Sequence, residues 1–251
     1  MKKIIAGVIT AALTLSATVS AASDTFNANQ TQQIHKIIRS YLLKNPDILI
    51  EMSASLQKKK MQDAQSAANQ AIDKNKDNLF SSTNAPVYGN PKGSIYLVEF
   101  FDYQCGHCKE MSPVIDNIIK KNKEVKVISR NFPIFGKNSL YAAQCSIAAY
   151  LTNKDKYYPL HKALMASDDP MSNDTVNALL KKYGYDVKSI QKLATSTTVK
   201  KQIANNYLLA KALRLEGTPA LIITNAEFSK FRFIPGATPE PYLQKAINSV
   251  L

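Results

Sequence analysis

The spacing of apolar residues divides the chain into helical ends and a strand-bearing middle. From Asn27 to Asn75 the pattern is helical: Ile34, Ile37, Ile38, Tyr41 and Leu42 fall at i, i+3, i+4, i+7 and i+8, one stripe of an amphipathic helix. Asn45-Pro46 breaks it, with Asn45 placed to cap a second helix and Pro46 at that helix's first position. A second stripe follows at Leu49, Met52 and Leu56, and the segment then turns polar from Lys60 to Lys74. It holds too few apolar residues for a core of its own, so its stripe must pack on the next domain or on another chain. The Asn-, Ser- and Thr-rich residues 76–86, ending in Pro86, read as a linker.

Beyond it the period changes. Ser94 to Phe101 is apolar almost without interruption, as a buried central strand should be. A helical pattern follows, with Met111, Val114, Ile115, Ile118 and Ile119, and then a short strand at Val125–Ser129, which completes a βαβ unit. Residues 136–215 are helical, one helix marked by Leu140, Ala143, Ile147 and Tyr150, another by Thr175, Leu179 and Leu180, and a long last one by Ile203, Tyr207, Leu208 and Leu215. Strands return at Ala220–Thr224 and Phe228–Ile234 across a tight turn, and Pro239–Val250 closes as a helix. The expectation is an α/β domain over 87–251, with a helical insertion between a βαβ and a ββα half, preceded by a helical segment at 23–75.

The first residues stand outside this scheme. Lys2 and Lys3 precede an apolar run, Ile4 to Leu15, that passes into Val19-Ser20-Ala21. This is a secretory signal peptide over 1–22, cleaved near Ala21 or Ala22. The run is too short and too broken by Thr10 and Thr14 for the ~20 residues of a membrane span. The reading places the mature chain in the periplasm and leaves association with the outer membrane open. Losing Lys2 and Lys3 lowers the formal charge from +13 to +11. Its lysines are spread along helical segments, with one run at Lys58-Lys59-Lys60, so they read as solvated helix faces and not as a nucleic-acid surface.

Three cysteines in an exported chain are informative. Cys105-Gly106-His107-Cys108 pairs two of them and leaves Cys145 alone, in a small-residue helix where a buried inert thiol is expected. A disulfide between Cys105 and Cys108 closes too small a loop to staple a fold, so the pair is there for chemistry. A zinc site would need two more ligands, and His35, His107, His161 and Cys145 form no second pair, so no metal and no cofactor is expected. The motif stands between a buried strand and a helix. Cys105 therefore lies at a helix N-terminus, whose free amides and dipole stabilise a thiolate. His107 can add positive charge or a hydrogen bond. A stabilised reduced form makes the disulfide a ready oxidant. Cys105 is expected to attack and Cys108, one turn further in, to resolve the mixed disulfide. Glu99 lies inside the apolar strand, six residues before Cys105. A buried carboxylate there reads as a proton acceptor for Cys108; the alternative is a strand-end carboxylate reaching solvent or a lysine. Gly217-Thr218-Pro219 precedes a strand, a position that proline tolerates. Sequence alone favours a trans bond, since only ~5–6% of X-Pro bonds are cis.

The run Val98-Glu99-Phe100-Phe101-Asp102-Tyr103-Gln104-Cys105-Gly106-His107-Cys108, with Gly217-Thr218-Pro219 far downstream, resembles the DsbA family of thiol–disulfide oxidoreductases over residues 86–251. The resemblance implies a thioredoxin fold with a helical insertion and a cis Thr218-Pro219 bond facing the disulfide. It also implies a loop that pairs with an extended client segment, and a buried glutamate at Glu99. Gly-His between the cysteines is similar to protein disulfide isomerase, and Thr218 to isomerases of the DsbC type. Tyr41-Leu42-Leu43-Lys44-Asn45-Pro46 resembles the oligomerisation region of ScsC-like and Com-type members, which joins protomers into dimers or trimers. The implied partners are reduced or misfolded exported proteins, a membrane redox partner of the DsbB or DsbD kind, and further copies of the chain. The expected activity forms or isomerises disulfides; the rival is a non-enzymatic chaperone or envelope-associated scaffold using the same cleft.

Overall fold

The computed structural model describes residues 26–83 and 85–251; the expected signal peptide lies outside the described residues. The chain divides into two compact units, up to Gln57 and from Lys58 onward. In the first, α1 (Ala28–Lys44) opens with a reciprocal cap: the Asn27 side chain accepts from the Gln30 amide at 2.9 Å and the Gln30 side chain from the Asn27 amide at 3.0 Å. Asn45 acts differently from expectation. Its side-chain amide donates to the Tyr41 carbonyl at 2.8 Å, so it closes α1, and α2 (Asp47–Leu79) begins without it. None of the described residues up to Gln57 is buried, and the expected stripe (Ile37, Ile38, Tyr41, Leu49, Met52 and Leu56 among it) lies in water.

The unit from Lys58 contains a five-stranded sheet: β1 (Val87–Gly89), β2 (Ile95–Phe101), β3 (Val125–Asn131), β4 (Ala220–Asn225) and β5 (Phe231–Pro235), in the order β1-β3-β2-β4-β5. β2 and β3 run parallel and the other neighbours antiparallel. α3 (Gly106–Lys121) connects this parallel pair. The insertion comprises α4 (Lys137–Thr152), α5 (Lys154–Met165), α6 (Asn173–Lys182), α7 (Val187–Ala194) and α8 (Thr197–Ala212), and α9 (Glu240–Asn248) ends the domain. This is the thioredoxin fold with a helical insertion.

β2 is central and buried on both faces, and its two-residue period sorts the core. Ile95 and Leu97 pack with Met111, Ile115 and Ile118 of α3 and Leu243 and Ile247 of α9. Val98 and Phe100 face the other way, into a layer with Leu209 and Leu213 and with Ile72, Leu79 and Phe80. The last three residues revise the expected boundaries. Residues 76–79 continue α2 instead of starting a linker, and Leu79, Phe80 and Ala85 are buried. The polar composition hid this because a few large apolar groups suffice to anchor a segment. Arg130, buried on β3, completes the anchor: its Nη2 donates to the carbonyls of Asn78, Leu79 and Ser81 at 2.7–2.8 Å, satisfying the end of α2. Burial pulls its pKa down to about 10.

Two further expectations shift. On α8 the buried face carries Val199, Ile203, Asn206 and Leu209, whereas Tyr207 and Leu208 are exposed. Strand β5 starts only at Phe231, since Phe228 takes a left-handed turn conformation with φ of 52°. Leu79→Ala, by leaving a cavity between α2 and the sheet, should lower stability by about 2–5 kcal/mol, read as an earlier urea midpoint at unchanged slope.

Candidate active site

β2 delivers the site. After Phe101 the chain leaves the sheet, and Asp102, Tyr103 and Gln104 lead to Cys105, the N-cap of α3. Asp102 is buried and shapes this turn. Its Oδ1 accepts from the Gln104 amide at 2.8 Å, and its Oδ2 from the amides of Ile134 and Phe135 at 2.7 and 3.1 Å. Gln104 continues the tie, donating to the Phe135 carbonyl and to Ser139. One carboxylate thus joins the cysteine loop to the loop after β3, an arrangement the sequence signals only as an acid within an apolar run.

No side chain caps α3, and of its first-turn amides that of Cys108 donates to the Cys105 carbonyl at 3.1 Å. Cys105 Sγ lies 3.2 Å from the carbonyl oxygen of Thr218, and the Thr218-Pro219 bond is cis. Strand β4 begins immediately after, antiparallel to β2, with Ala220 opposite Phe100. That register is what carries Thr218 across to the cysteine. Gly217, Thr218 and Pro219 line a groove of about 300 Å³ with Arg214, Phe233 and Pro235. A Cβ at Gly217 would meet open space, so packing does not demand glycine there.

Cys105 is 4% exposed and Cys108 0%. Of the two, only Cys105 keeps any contact with solvent. Burial pushes the Cys108 thiol far up, with the charge of Glu99 adding to it; hydrogen bonding from the Asp102 backbone and the Thr218 side chain opposes this. The Thr218 hydroxyl makes no well-formed hydrogen bond, yet it lies close enough to the Cys108 sulfur to favour the ionised form.

Glu99 is buried on the face of β2 that meets α3, which excludes a carboxylate reaching solvent. Its Oε2 accepts from the Tyr88 hydroxyl at 2.9 Å, while Oε1 has no partner. Burial raises its pKa from the ordinary 4.5 to about 7, the Tyr88 hydrogen bond pulling weakly the other way. His107 is exposed, and its Nδ1 lies 3.0 Å from Glu110 Oε2, so its hydrogen bond goes along the helix surface and not to a sulfur. His161, for which the sequence suggested no role, is buried under the site. Its Nδ1 is 3.0 Å from the Tyr103 hydroxyl, and burial holds it neutral with a pKa of about 3. Cys145 is buried in α4 with its thiol raised to about 11.

Residues 96–248, more than half of the chain, match the DSBA-like thioredoxin domain. The chain belongs to that family. Residues 30–62 match the N-terminal domain of copper resistance protein ScsC. Among known structures, this DSBA-like chain is similar to the thiol-disulfide exchange protein alpha-DsbA2 of Wolbachia pipientis, with 30% identity, 74% of this chain and 97% of the other covered, and a TM-score of 0.67. It is also similar to BcfH of Salmonella enterica Typhimurium, with 27% identity, coverage of 88% and 96%, and a TM-score of 0.74. Disulfide bond formation protein D of Bacillus subtilis is 24% identical over 158 residues, 58% of this chain and 70% of that one. The family is one of thiol–disulfide oxidoreductases, and Cys105 to Cys108 occupy the strand-to-helix turn of its fold.

The buried carboxylate gives a sign-specific test. An acid whose pKa rises on folding favours the fold fully below its unfolded value, here near 4.5, and loses that contribution as pH climbs through about 7. Between pH 4 and 8 the DSBA-like domain should therefore lose about 3 kcal/mol of stability relative to Glu99→Gln, measured by urea unfolding. A difference independent of pH would show the carboxylate to be solvated.

Proposed function

We propose that the chain is a periplasmic thiol–disulfide interchange protein that forms and isomerises disulfides in exported proteins. The observation that carries this reading is Cys105 Sγ against the carbonyl of Thr218, a residue that with the cis Pro219 lines a groove. A client segment lying extended on that loop would present its cysteine to Cys105, its backbone pairing with the loop as an added strand. The Cys105 thiolate attacks a client disulfide; the Cys105–client bond forms, the client S–S bond breaks, and the released client sulfur leaves as thiolate. That thiolate can attack elsewhere in the client, which is isomerisation. Alternatively Cys108 gives its proton to Glu99 and attacks Cys105, expelling the client sulfur and leaving the Cys105–Cys108 disulfide. Run backward, the same steps donate the protein's disulfide to a reduced client. Either direction then needs a membrane redox partner, to reduce or to reoxidise the pair.

Gly-His between the cysteines, Thr218 before the proline and the unburied apolar stripe up to Gln57 support an isomerase, or a protein with both activities, assembled as a dimer or trimer. The match of residues 30–62 to the ScsC N-terminal domain supports the same role for that segment. Export is supported by the pattern of the first 22 residues, and among the described residues no helix is long and apolar enough to cross a membrane.

Reactivation of a scrambled multi-disulfide substrate tests the reading. The truncated control should begin at Lys58, which keeps Ile72, Leu79 and Phe80 in the core. The expected result is reactivation by the mature protein, little by the truncation, and loss of at least a hundredfold with Cys105→Ser, in line with removal of a nucleophile. Rapid oxidation of a reduced peptide by both forms, with no reactivation by either, would make the protein an oxidase. Full function with Cys105→Ser would make it a chaperone.

A further inference from the structure

Glu99 has one hydrogen-bond partner among the described residues, the Tyr88 hydroxyl. We propose that Tyr88 is a positioning residue for disulfide exchange, fixing the Glu99 carboxylate through Oε2 so that the unpartnered Oε1 is held ready for the proton of Cys108. This rests on the exchange reading above and adds a residue to it.

The geometry is unusual on both sides of the bond. A carboxylate oxygen with no donor inside a protein is costly, and the cost is tolerated where the group has work to do. Tyr88 comes from β1, a three-residue edge strand, and reaches Glu99 only because β1 pairs with β3 in one register, Val87 opposite Ile128 and Tyr88 opposite Val127. Its ring is clamped on Tyr158 of α5, with centroids 4.5 Å apart and planes within 14°. The hydroxyl is thus held from two elements, and its direction is set independently of Glu99. A phenylalanine would pack as well there, so packing alone does not call for the hydroxyl.

The groups that face Glu99 electrostatically are Tyr88, Tyr103 from the loop after β2, Cys108 from α3, and Tyr157 and Tyr158 from α5. Ser129, its neighbour across β3, is engaged with Tyr157 at 2.9 Å, and the nearby His161 is neutral and faces Tyr103. None of these is a cation. With no lysine or arginine to set its proton affinity, the carboxylate is tuned by burial and by the single hydroxyl, which favours the charged form. In the resolving step the Cys108 proton passes to Glu99 Oε1, Cys108 sulfur attacks Cys105 sulfur, the Cys105–client bond breaks, and the client sulfur leaves with the electron pair. Tyr88 changes no bond; it decides how much of Glu99 is ionised and which oxygen is free.

The test uses the full chain carrying a preformed mixed disulfide between Cys105 and glutathione, and follows glutathione release by Cys108 from pH 5 to 9. Four forms are compared: the natural chain, Tyr88→Phe, Glu99→Gln and the double variant. A charge-assisted hydrogen bond lost from Glu99 should move the rising limb of the profile up by about one pH unit in Tyr88→Phe, and slow release about fivefold at pH 7. In the Glu99→Gln background the same substitution should leave the profile in place. A Tyr88→Phe profile that coincides with the natural one overturns the proposal, as does a shift that persists without Glu99. Absence of release from the natural chain would instead overturn the exchange reading itself, so the two failures are distinct. Attack by Cys105 on glutathione disulfide should be unchanged in Tyr88→Phe; slowing there as well would show a general structural loss and also overturn it.

Discussion

A carboxylate with no cation beside it sits in the middle of the sheet, and much of the domain is arranged around keeping it there. Strand β2 must be buried on both faces to place Glu99 out of water, which requires α3 and α9 on one side and the end of α2 with α8 on the other. Exposure of the carboxylate would return its pKa to the ordinary range and remove the basis for the proton exchange proposed for it. Two residues beyond Glu99 the same strand ends at Phe101 and leads into the cysteine loop, so acid and sulfur are both placed from one strand.

The helical insertion contributes more than a cover. α5 brings Tyr157, Tyr158 and His161 beneath the site, where Tyr158 stacks on Tyr88 and His161 bonds to Tyr103 of the cysteine loop. These aromatic groups exclude water from the surroundings while supplying single, directed hydrogen bonds. Burial keeps His161 neutral across physiological pH, so its bond to Tyr103 is a permanent fixture and not a switch. Asp102 performs the matching task on the other flank, spending both oxygens on backbone amides. The redox pair is therefore held from β2, from α5 and from the loop that precedes α4.

Much of this was legible in the residues. The unbroken apolar run before Cys105 announced a central strand, and the glutamate within it announced a buried acid. The order of strands and helices announced the insertion. What escaped depended on long-range pairing. Tyr88 belongs to a strand of three residues with no period to read, and its meaning arises only when β1 registers on β3. The end of α2 read as polar because its few buried residues, Ile72 and Leu79, are seven apart and surrounded by Lys, Asp and Asn. Tyr207 and Leu208 misled for the opposite reason: they are apolar residues beside the true stripe, facing water where the buried row instead carries Asn206, which donates to the Asn131 carbonyl at 2.9 Å. The cis bond at Thr218-Pro219 was signalled only by family resemblance, since local preference runs to trans.

The asymmetry of the two cysteines fixes the order of events but not their direction. Cys105 has the helix end, the Thr218 carbonyl and the remaining accessible surface; Cys108 has neither solvent nor a cation, and its thiol is held protonated by burial and by Glu99. On the proposed exchange, the bond to a client forms at Cys105 whichever way electrons flow, with Cys105 attacking a client disulfide or a client thiolate attacking the disulfide at Cys105. Resolution in that proposed exchange waits on a proton leaving Cys108 against a raised pKa, and that delay is the interval in which a client thiolate could attack elsewhere in its own chain. A buried acid of moderate strength makes the wait longer than a freely ionised base would. On the proposed exchange, the environment of Cys108 sets the balance between isomerising a client and releasing it reduced, and the groove beside Pro219 bears on which segment is held during the wait.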